Sequence, residues 1–125
     1  MYTVGKIDIE IYRCVTPDIR TDEVIITDRQ IQHIKERHPN DYERFSKYFA
    51  EIVAEPDYII EANKSNSAVI LKEIWENSES FKTILRIATS ADDPAYKNSI
   101  ITFMKIDRRD WERLLRNKKI LYKRE

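Results

Sequence analysis

The chain has a single glycine, Gly5, among its 125 residues. Phosphate-binding loops such as the P-loop and the dinucleotide fingerprint need several glycines, because only a bare backbone can approach the phosphates closely. This sequence can form neither loop, so catalysis through a bound nucleotide cofactor is not expected. Tight turns must also use other residues. Asn63 and Asn66 stand at turn positions where a positive φ is favourable.

The composition predicts one soluble folded domain over residues 1–125. Hydrophobic residues make up 42% of the chain and charged residues 35%, which supplies enough apolar material for a core and argues against disorder. The one cysteine, Cys14, cannot form an internal disulfide. Neither a signal peptide nor an apolar run of membrane-spanning length is visible, so we expect a cytoplasmic protein.

The first part of the chain is predicted to contain one strand and two helices. Apolar and polar residues alternate over residues 6–13, which predicts a half-buried strand. Thr27 is the expected N-cap of a helix that ends near Arg37. Asn40 is the expected cap of a second helix, which Pro56 closes.

The rest of the chain is predicted to consist mainly of strands. These strands cover residues 57–62, 68–75, 81–89, 98–106 and 120–123. Asp107 is the expected cap of a short helix between the last two of them. This order predicts an α+β fold, in which two N-terminal helices pack on a four- to five-stranded antiparallel meander and a short C-terminal helix follows.

Two histidines and two arginines are concentrated around the first predicted helix. Arg29, His33 and Arg37 recur every four residues and share one helix face, and His38 follows the last turn. Solvated helix residues would show the same spacing, so the pattern alone leaves that alternative open. Zinc is a poor interpretation, because histidines five residues apart do not share a helix face and only Cys14 could supply a thiolate.

Two cations interrupt predicted strands that are otherwise apolar, Lys72 and Arg86. A charge among apolar neighbours is costly unless something pairs with it. The alternatives are a functional cation, a snorkelling side chain on an edge strand, and a buried ion pair.

Polar residues also gather at the start of the fourth predicted strand. Asn98 and Thr102 lie on one strand face, with Ser99 opposite, and Tyr96 and Lys97 come just before them. Such residues are also typical of turns and cross-strand pairs, and a tyrosine here would be a platform on which a base could stack.

This set of side chains suits metal-free attack on a phosphodiester. Histidine takes or gives a proton near neutral pH, and arginine and lysine neutralise phosphate oxygens as the transition state forms. RNA supplies its own nucleophile, the 2′-hydroxyl, so no activated serine is needed.

The sequence resembles the phage and prophage branch of the barnase–EndoU–colicin–RelE superfamily. Residues 27–39, the strand arginine and residues 96–102 carry the resemblance, which covers about residues 24–122. It implies helices packed on a four- or five-stranded antiparallel sheet whose open face holds the active site. It also implies a metal-independent endoribonuclease, acting as a toxin or as a domain of a mobile-element protein.

The resemblance assigns roles to ten residues. The implied catalytic set is His33 or His38 as general base or acid, Arg37, Arg86 on the phosphate, and Ser99 or Thr102 as the strand hydroxyl. The implied substrate-binding set is Lys72, Tyr96, Lys97 and Asn98. No metal or cofactor is implied. The expected partners are an RNA substrate and an immunity or antitoxin protein, with no membrane and an oligomeric state that the sequence leaves open.

We therefore expect an endoribonuclease that leaves a 2′,3′-cyclic phosphate. One alternative is a non-catalytic RNA- or protein-binding module of a phage or mobile element, and another is a purely structural domain. The enzyme interpretation predicts that at least one histidine and Arg86 border one cleft, within about 10 Å of each other and with no carboxylate between them.

The formal net charge is zero, which lowers the expectation of strong non-specific RNA binding. The charge is unevenly distributed, however. Residues 105–125 hold nine Lys or Arg and four Asp or Glu. This basic segment can still attract a phosphate backbone.

Overall fold

The computed structural model describes residues 1–125 and places seven strands in one sheet. The strands are β1 (Tyr2–Lys6), β2 (Glu23–Ile26), β3 (Tyr58–Ile60), β4 (Ser67–Ile74), β5 (Glu79–Arg86), β6 (Asn98–Ile106) and β7 (Ile120–Lys123). The helices are α1 (Ile9–Tyr12), α2 (Asp28–Arg37), α3 (Asp41–Phe45), α4 (Phe49–Ala54) and α5 (Arg108–Asn117), and a 3-10 turn covers Ser46–Tyr48. None of these helices combines the length and apolar character needed to span a membrane.

The sheet has the strand order β1-β2-β6-β5-β4-β3-β7 and is antiparallel except for the parallel pair β2–β6. Its centre is the meander β4-β5-β6. Within it, Ile84 lies opposite Thr102 and Leu85 lies opposite Ile100, so Ile101 is an extra residue on β6. Such a β-bulge bends the strand locally and redirects the side chains beside it.

Local sequence signals explain where α2 begins and ends. The Thr27 side chain accepts a hydrogen bond from the N–H of Gln30, and the helix ends at Arg37, before Pro39. The predicted start and end of this helix are confirmed. Because β2 pairs only with the first two residues of β6, the chain turns at Thr27 and α2 packs beside the rest of β6.

The larger core lies between the sheet and the helices α2, α3 and α4. Four phenylalanine rings form its centre: the ring centroids of Phe45 and Phe81 are 4.8 Å apart, and those of Phe49 and Phe103 are 4.7 Å apart. Burial of each such side chain contributes about 1.5–3 kcal/mol. The opposite face of the sheet is covered by α5, whose Trp111 belongs to a smaller apolar cluster.

The predicted strand over residues 6–13 is wrong. β1 ends at Lys6 and α1 begins at Ile9, because the Asp8 side chain caps this single turn by accepting from the N–H of Glu10. A strand would have turned Tyr12 away from the apolar face. In the structure Tyr12 is fully buried, and its hydroxyl donates to the carbonyl of Val53 at 2.6 Å.

The second predicted helix is not continuous. α3 and α4 are separated by the 3-10 turn, and Asn40 has a φ of 72° and makes no capping hydrogen bond with its side chain. Phe45 of α3 and Phe49 of α4 both lie in the core, and α4 ends at Ala54, before Pro56, as predicted.

The α+β class is confirmed, whereas the strand count and the helix arrangement differ from the prediction. The sheet has seven strands because β1 and β2 extend one edge and β7 returns to pair with β3. The predicted bounds of β6 and β7 and the Asp107 cap of α5 are confirmed. These corrections matter for function, because β2 is what carries α2 to the edge of β6.

Candidate functional site

A groove of about 530 Å³ lies on the α5 face of the sheet, and Arg86 is part of its lining. We call it the sheet groove. Alternate side chains of a strand point to the same face, so β5 presents Lys82, Ile84 and Arg86 to this groove. Its full lining is Ile60, Glu61, Ala62, Asn63, Lys64, Ser67, Val69, Lys82, Ile84, Arg86, Tyr96, Ile101, Leu114 and Lys118.

Arg86 lies between two serines on neighbouring strands. Ser67 of β4 and Ser99 of β6 are its direct cross-strand partners, so the three side chains form a row across the sheet. Directly opposite residues have Cβ atoms about 4.5–5.5 Å apart. The register thus places two serine side chains beside the base of the Arg86 side chain. Ser99 was predicted to be functional, and Ser67 was missed.

The guanidinium of Arg86 is held by a carboxylate and an aromatic ring. Nη2 and Nη1 donate to the two carboxylate oxygens of Asp92 at 2.9 and 3.3 Å, and Nη1 also donates to the carbonyl of Ile87. The ring centroid of Tyr96 is 5.6 Å from the guanidinium carbon, within cation–π range. The predicted residues Arg86 and Tyr96 are therefore brought together.

Asp92 is fixed by its own loop as well as by Arg86. The N–H of Thr89 donates to it at 2.8 Å, and this hydrogen bond is the largest cause of a lowered pKa for Asp92. Burial opposes the shift, and the hydrogen bond and charge of Arg86 lower the pKa further. The carboxylate is thus kept ionised as the counter-ion of Arg86.

Arg20 organises the loop that carries Asp92 and Tyr96. Its guanidinium donates to five backbone carbonyls of this loop, those of Thr89, Asp92, Asp93, Pro94 and Tyr96. No carboxylate lies within ion-pairing distance of Arg20, so its donors are committed to the loop. No sequence signal indicates this role, because the contacts join segments about 70 residues apart.

Three lysines give the sheet groove its positive charge. Lys64, Lys82 and Lys118 line it, and none of them lies within ion-pairing distance of a carboxylate. The one acidic side chain in the lining is Glu61, whose carboxylate accepts from the N–H of Lys119. All three lysines were missed by sequence reasoning. Lys82 had a usable signal, since it lies four residues before Arg86 on the same strand face.

A second groove, of about 580 Å³, lies between α2 and the edge of β6. We call it the α2 groove. Its lining is almost entirely polar and consists of Arg29, Gln30, Gln32, His33, Glu36, Ile101 and Thr102. The structure therefore brings together two predicted residues, His33 and Thr102. The bulged residue Ile101 lines both grooves, so they meet at this side chain.

Neither Arg37 nor His38 lines either groove. Arg37 is exposed at the end of α2, and His38 is the C-cap residue, whose N–H donates to the carbonyl of Ile34. The expectation that a histidine and Arg86 share one cleft is wrong. His33 and Arg86 line two different grooves, which have Ile101 in common, and the carboxylate of Asp92 is paired with Arg86.

Lys72 lies on the opposite face of the sheet from Arg86. Its side chain is 3% exposed and its Nζ is 3.5 Å from a carboxylate oxygen of Asp57 and 3.8 Å from one of Glu51. Of the alternatives raised for this residue, the geometry corresponds to the buried ion pair.

Asn98 and Lys97 also have partners within the fold. The Asn98 side chain accepts from the N–H of Ala88 and donates to the carbonyl of Thr21, both at 2.8 Å. The Nζ of Lys97 is 3.2 Å from a carboxylate oxygen of Glu23. Asn98 thereby ties three segments of the chain together next to Ser99.

No group of three or more His, Cys, Asp or Glu side chains is arranged to hold a metal ion. Besides the carboxylates of Glu36 and Glu61, the grooves offer cations, hydroxyl groups, an aromatic ring and an imidazole. Such groups bind a phosphate backbone and move protons.

Comparison with known proteins gives one match. No curated protein and no solved structure matches the chain. Residues 2–123 match the family described as phage-Barnase-EndoU-ColicinE5/D-RelE like nuclease2. The match includes both grooves and all seven strands, and it agrees with the resemblance carried by residues 27–39 and 96–102. The chain belongs to the phage-Barnase-EndoU-ColicinE5/D-RelE like nuclease2 family.

Proposed function

We propose that this protein is a metal-independent endoribonuclease that cleaves RNA by attack of the 2′-hydroxyl and leaves a 2′,3′-cyclic phosphate. The observation that carries the proposal is the sheet groove, which is lined by three lysines without carboxylate partners and in which Arg86 lies against the ring of Tyr96. Cations of this kind neutralise phosphate oxygens, and an aromatic ring stacks on a base. Membership of a nuclease family supports the same conclusion.

Arg86 retains donors for a phosphate despite its ion pair. A guanidinium has five N–H donors. Asp92 accepts from two of them and the carbonyl of Ile87 from a third, so two remain. Ser67 and Ser99 are the cross-strand neighbours of Arg86 on the same face of the sheet. We assign Arg86 to a non-bridging oxygen of the scissile phosphate, with the serines beside it.

We assign the proton transfers to His33, because it lines the groove that meets the sheet groove at Ile101. In the proposed step the 2′-oxygen attacks phosphorus and the bond from phosphorus to the 5′-oxygen breaks. The proton of the 2′-hydroxyl passes to a base, and a proton is returned to the leaving 5′-oxygen. Histidine suits both transfers, and Thr102 lies beside His33 in this groove.

Metal independence is proposed because the groove supplies positive charge itself. Phosphodiester cleavage requires stabilisation of negative charge on the phosphate oxygens as the transition state forms, and preorganised cations provide it. Arg86 and Lys82 project from the same strand two positions to either side of Ile84, so β5 alone presents two cations to the groove.

Cleavage of a short RNA in the presence of a chelator tests this function. The wild-type protein should cut it with EDTA present, leave a cyclic phosphate detectable by mass spectrometry, and leave uncut an analogue with 2′-deoxyribose at every position. His33→Ala should lower the rate by about 10²–10⁴-fold. Lys47→Gln, on the helical side of the sheet, should leave it unchanged. A rate that persists in His33→Ala would remove His33 from the mechanism, and cleavage of the deoxy analogue would refute 2′-hydroxyl attack.

One observation favours a second candidate function, a non-catalytic module that binds RNA or a protein partner. Arg86 is already paired with Asp92, and His33 faces a separate groove. A binding module needs the cations but no proton transfer. It predicts that the wild-type protein binds RNA and that no product forms with any RNA, with or without added divalent cations.

The proposal also covers the cellular role of the protein and its protein partner. The resemblance implies a toxin-like or mobile-element nuclease working in the cytoplasm, and an immunity or antitoxin protein as its partner. An acidic partner surface would complement the lysines of the sheet groove and block the site. Suppression of RNA cleavage by a co-encoded acidic protein, lost in Lys82→Glu, would support this setting.

A further inference from the structure

The outward face of α5 carries a stripe of three arginines next to the sheet groove. Arg109, Arg113 and Arg116 are all exposed and follow one another at spacings of four and three residues, which places them on one side of the helix. Trp111 and the half-buried Leu114 occupy the opposite side and face the sheet. The stripe is thus directed away from the core.

Two of these arginines have no carboxylate partner. Arg113 is 2.9 Å from a carboxylate oxygen of Asp110, but neither Arg109 nor Arg116 forms an ion pair. An unpaired arginine can bind a phosphate without first losing an ion pair within the protein. The two are seven residues apart, and a helix rises about 1.5 Å per residue, so they are separated by about 10 Å along the axis.

The stripe and the sheet groove are linked by the end of α5. Lys118, immediately after the helix, lines the groove together with Lys64, Lys82 and Arg86. Positive side chains therefore run from the floor of the groove, past Lys118, to the outward face of the helix.

We infer that the outward face of α5 binds the phosphate backbone of RNA beyond the nucleotides held in the sheet groove. This inference rests on the proposed function and extends it: the substrate is an RNA long enough to reach both surfaces. Arg109 and Arg116 each contact a phosphate, while the groove holds the segment to be cut. An acidic polypeptide is the competing occupant, and its binding is compared with that of RNA.

The test measures binding without cleavage. The probes are a 16-nucleotide RNA in which every 2′-hydroxyl is methylated, which cannot undergo 2′-hydroxyl attack, and a 4-nucleotide version of it. Binding of the 16-mer should weaken with salt, and Arg109→Gln/Arg116→Gln should reduce the slope of log K against log salt by about two, one for each lost phosphate contact. Binding of the 4-mer should show the wild-type slope in the double variant.

Two control variants show whether the effect depends on the position of the removed charges and on charge itself. Lys6→Gln/Lys47→Gln removes the same charge from exposed residues on β1 and the 3-10 turn, and it should keep the wild-type slope. Arg109→Lys/Arg116→Lys retains the charge and should restore most of the slope. A wild-type slope in Arg109→Gln/Arg116→Gln, or an equal reduction in the Lys6/Lys47 control, would overturn the inference.

A further measurement distinguishes RNA from an acidic polypeptide as the partner, and it separates RNA binding by α5 from the proposed nuclease activity. Polyglutamate of the same charge should bind more weakly than the 16-mer, and equal or tighter binding would assign the surface to an acidic polypeptide instead. Because the methylated probe is never cut, the result does not depend on catalysis. A protein that shows the expected slopes but cleaves no RNA would refute the nuclease function and leave this inference standing.

Discussion

Arg86 and Asp92 form a two-point ion pair in the sheet groove, with Nη2 to Oδ1 at 2.9 Å and Nη1 to Oδ2 at 3.3 Å. Bidentate pairing fixes the plane of a guanidinium as well as its position. The carboxylate comes from the loop between β5 and β6, which Arg20 holds through backbone carbonyls. The orientation of the central cation of the site therefore depends on a loop that does not belong to the sheet.

Replacing Asp92 by asparagine should make stability less sensitive to acid. The pKa of Asp92 is lowered in the fold, chiefly by the N–H of Thr89, so its carboxylate stabilises the protein above the ordinary Asp pKa of about 3.9. That stabilisation is lost as the pH falls through the lower folded pKa. Between about pH 5 and about pH 2, the urea midpoint of the wild type should therefore fall further than that of Asp92→Asn.

The matched control is Asp22→Asn, because the Asp22 carboxylate forms no ion pair and accepts no hydrogen bond. This variant should keep the acid dependence of the wild type. If Asp92→Asn loses stability with acid as steeply as the wild type, the Thr89 and Arg86 contacts do not hold the ionised carboxylate.

Truncating Arg20 should loosen the loop over residues 89–97. Arg20→Ala removes donors from five carbonyls, and we expect a loss of about 1–3 kcal/mol in the free energy of unfolding. Amide exchange should accelerate at Asp92 and Tyr96, whose N–H groups donate to carbonyls within the loop. Arg13→Ala, which removes only an exposed ion pair with Glu10, should cost at most about 1 kcal/mol. Unchanged loop exchange in Arg20→Ala would contradict the role given to it.

Asn98→Ala should be much more destabilising than Lys97→Ala. The buried amide of Asn98 bonds two backbone groups, and its loss leaves the N–H of Ala88 without a partner, at a cost of about 2–4 kcal/mol. Lys97 loses one partly exposed ion pair, worth at most about 1 kcal/mol. Urea unfolding measures both. Equal losses would show that Asn98 is not the structural tie that its hydrogen bonds indicate.

Arg86→Lys should lower RNA cleavage at least about tenfold while preserving the positive charge. An ammonium group has three donors and no planar fork, so it cannot hold Asp92 and a phosphate in the same geometry. The loss should appear mainly in kcat, since Lys64 and Lys82 still attract the RNA. Arg44→Lys, on the other face of the sheet beside Glu79, is the matched control and should cleave normally. Normal kcat in Arg86→Lys would exclude a two-donor role for Arg86.

Elements defined by local signals were predicted well. The Thr27 cap and the proline after the helix placed α2 correctly, and Asn66 takes the positive φ of 58° expected of a turn without glycine. The prediction of a strand over residues 6–13 was wrong because alternation of apolar and polar residues does not show which segment pairs with another strand. β1 exists through its pairing with β2, and that contact is not visible in either segment alone.

The site was predicted only in part, because many of its contacts also join segments that are distant in the sequence. Arg86 stood out because a cation in an apolar strand requires an explanation, and Tyr96 indeed lies against it. The partner Asp92 and the cavity residue Lys118 come from a loop and from the end of a helix, and only the folded sheet brings them to Arg86. Lys72 carried the same sequence signal as Arg86 but proved to lie on the other face.

The parallel pair β2–β6 has a consequence for how the protein is made. Val24 and Asn98 are partners although 74 residues separate them, and pairing over such distances is slow and comes late in folding. His33 reaches the edge of β6 only through this pair, and the sheet groove lacks part of its wall until Lys118 has left the ribosome. Neither groove is therefore complete before most of residues 1–118 have been synthesised and β2 has paired with β6.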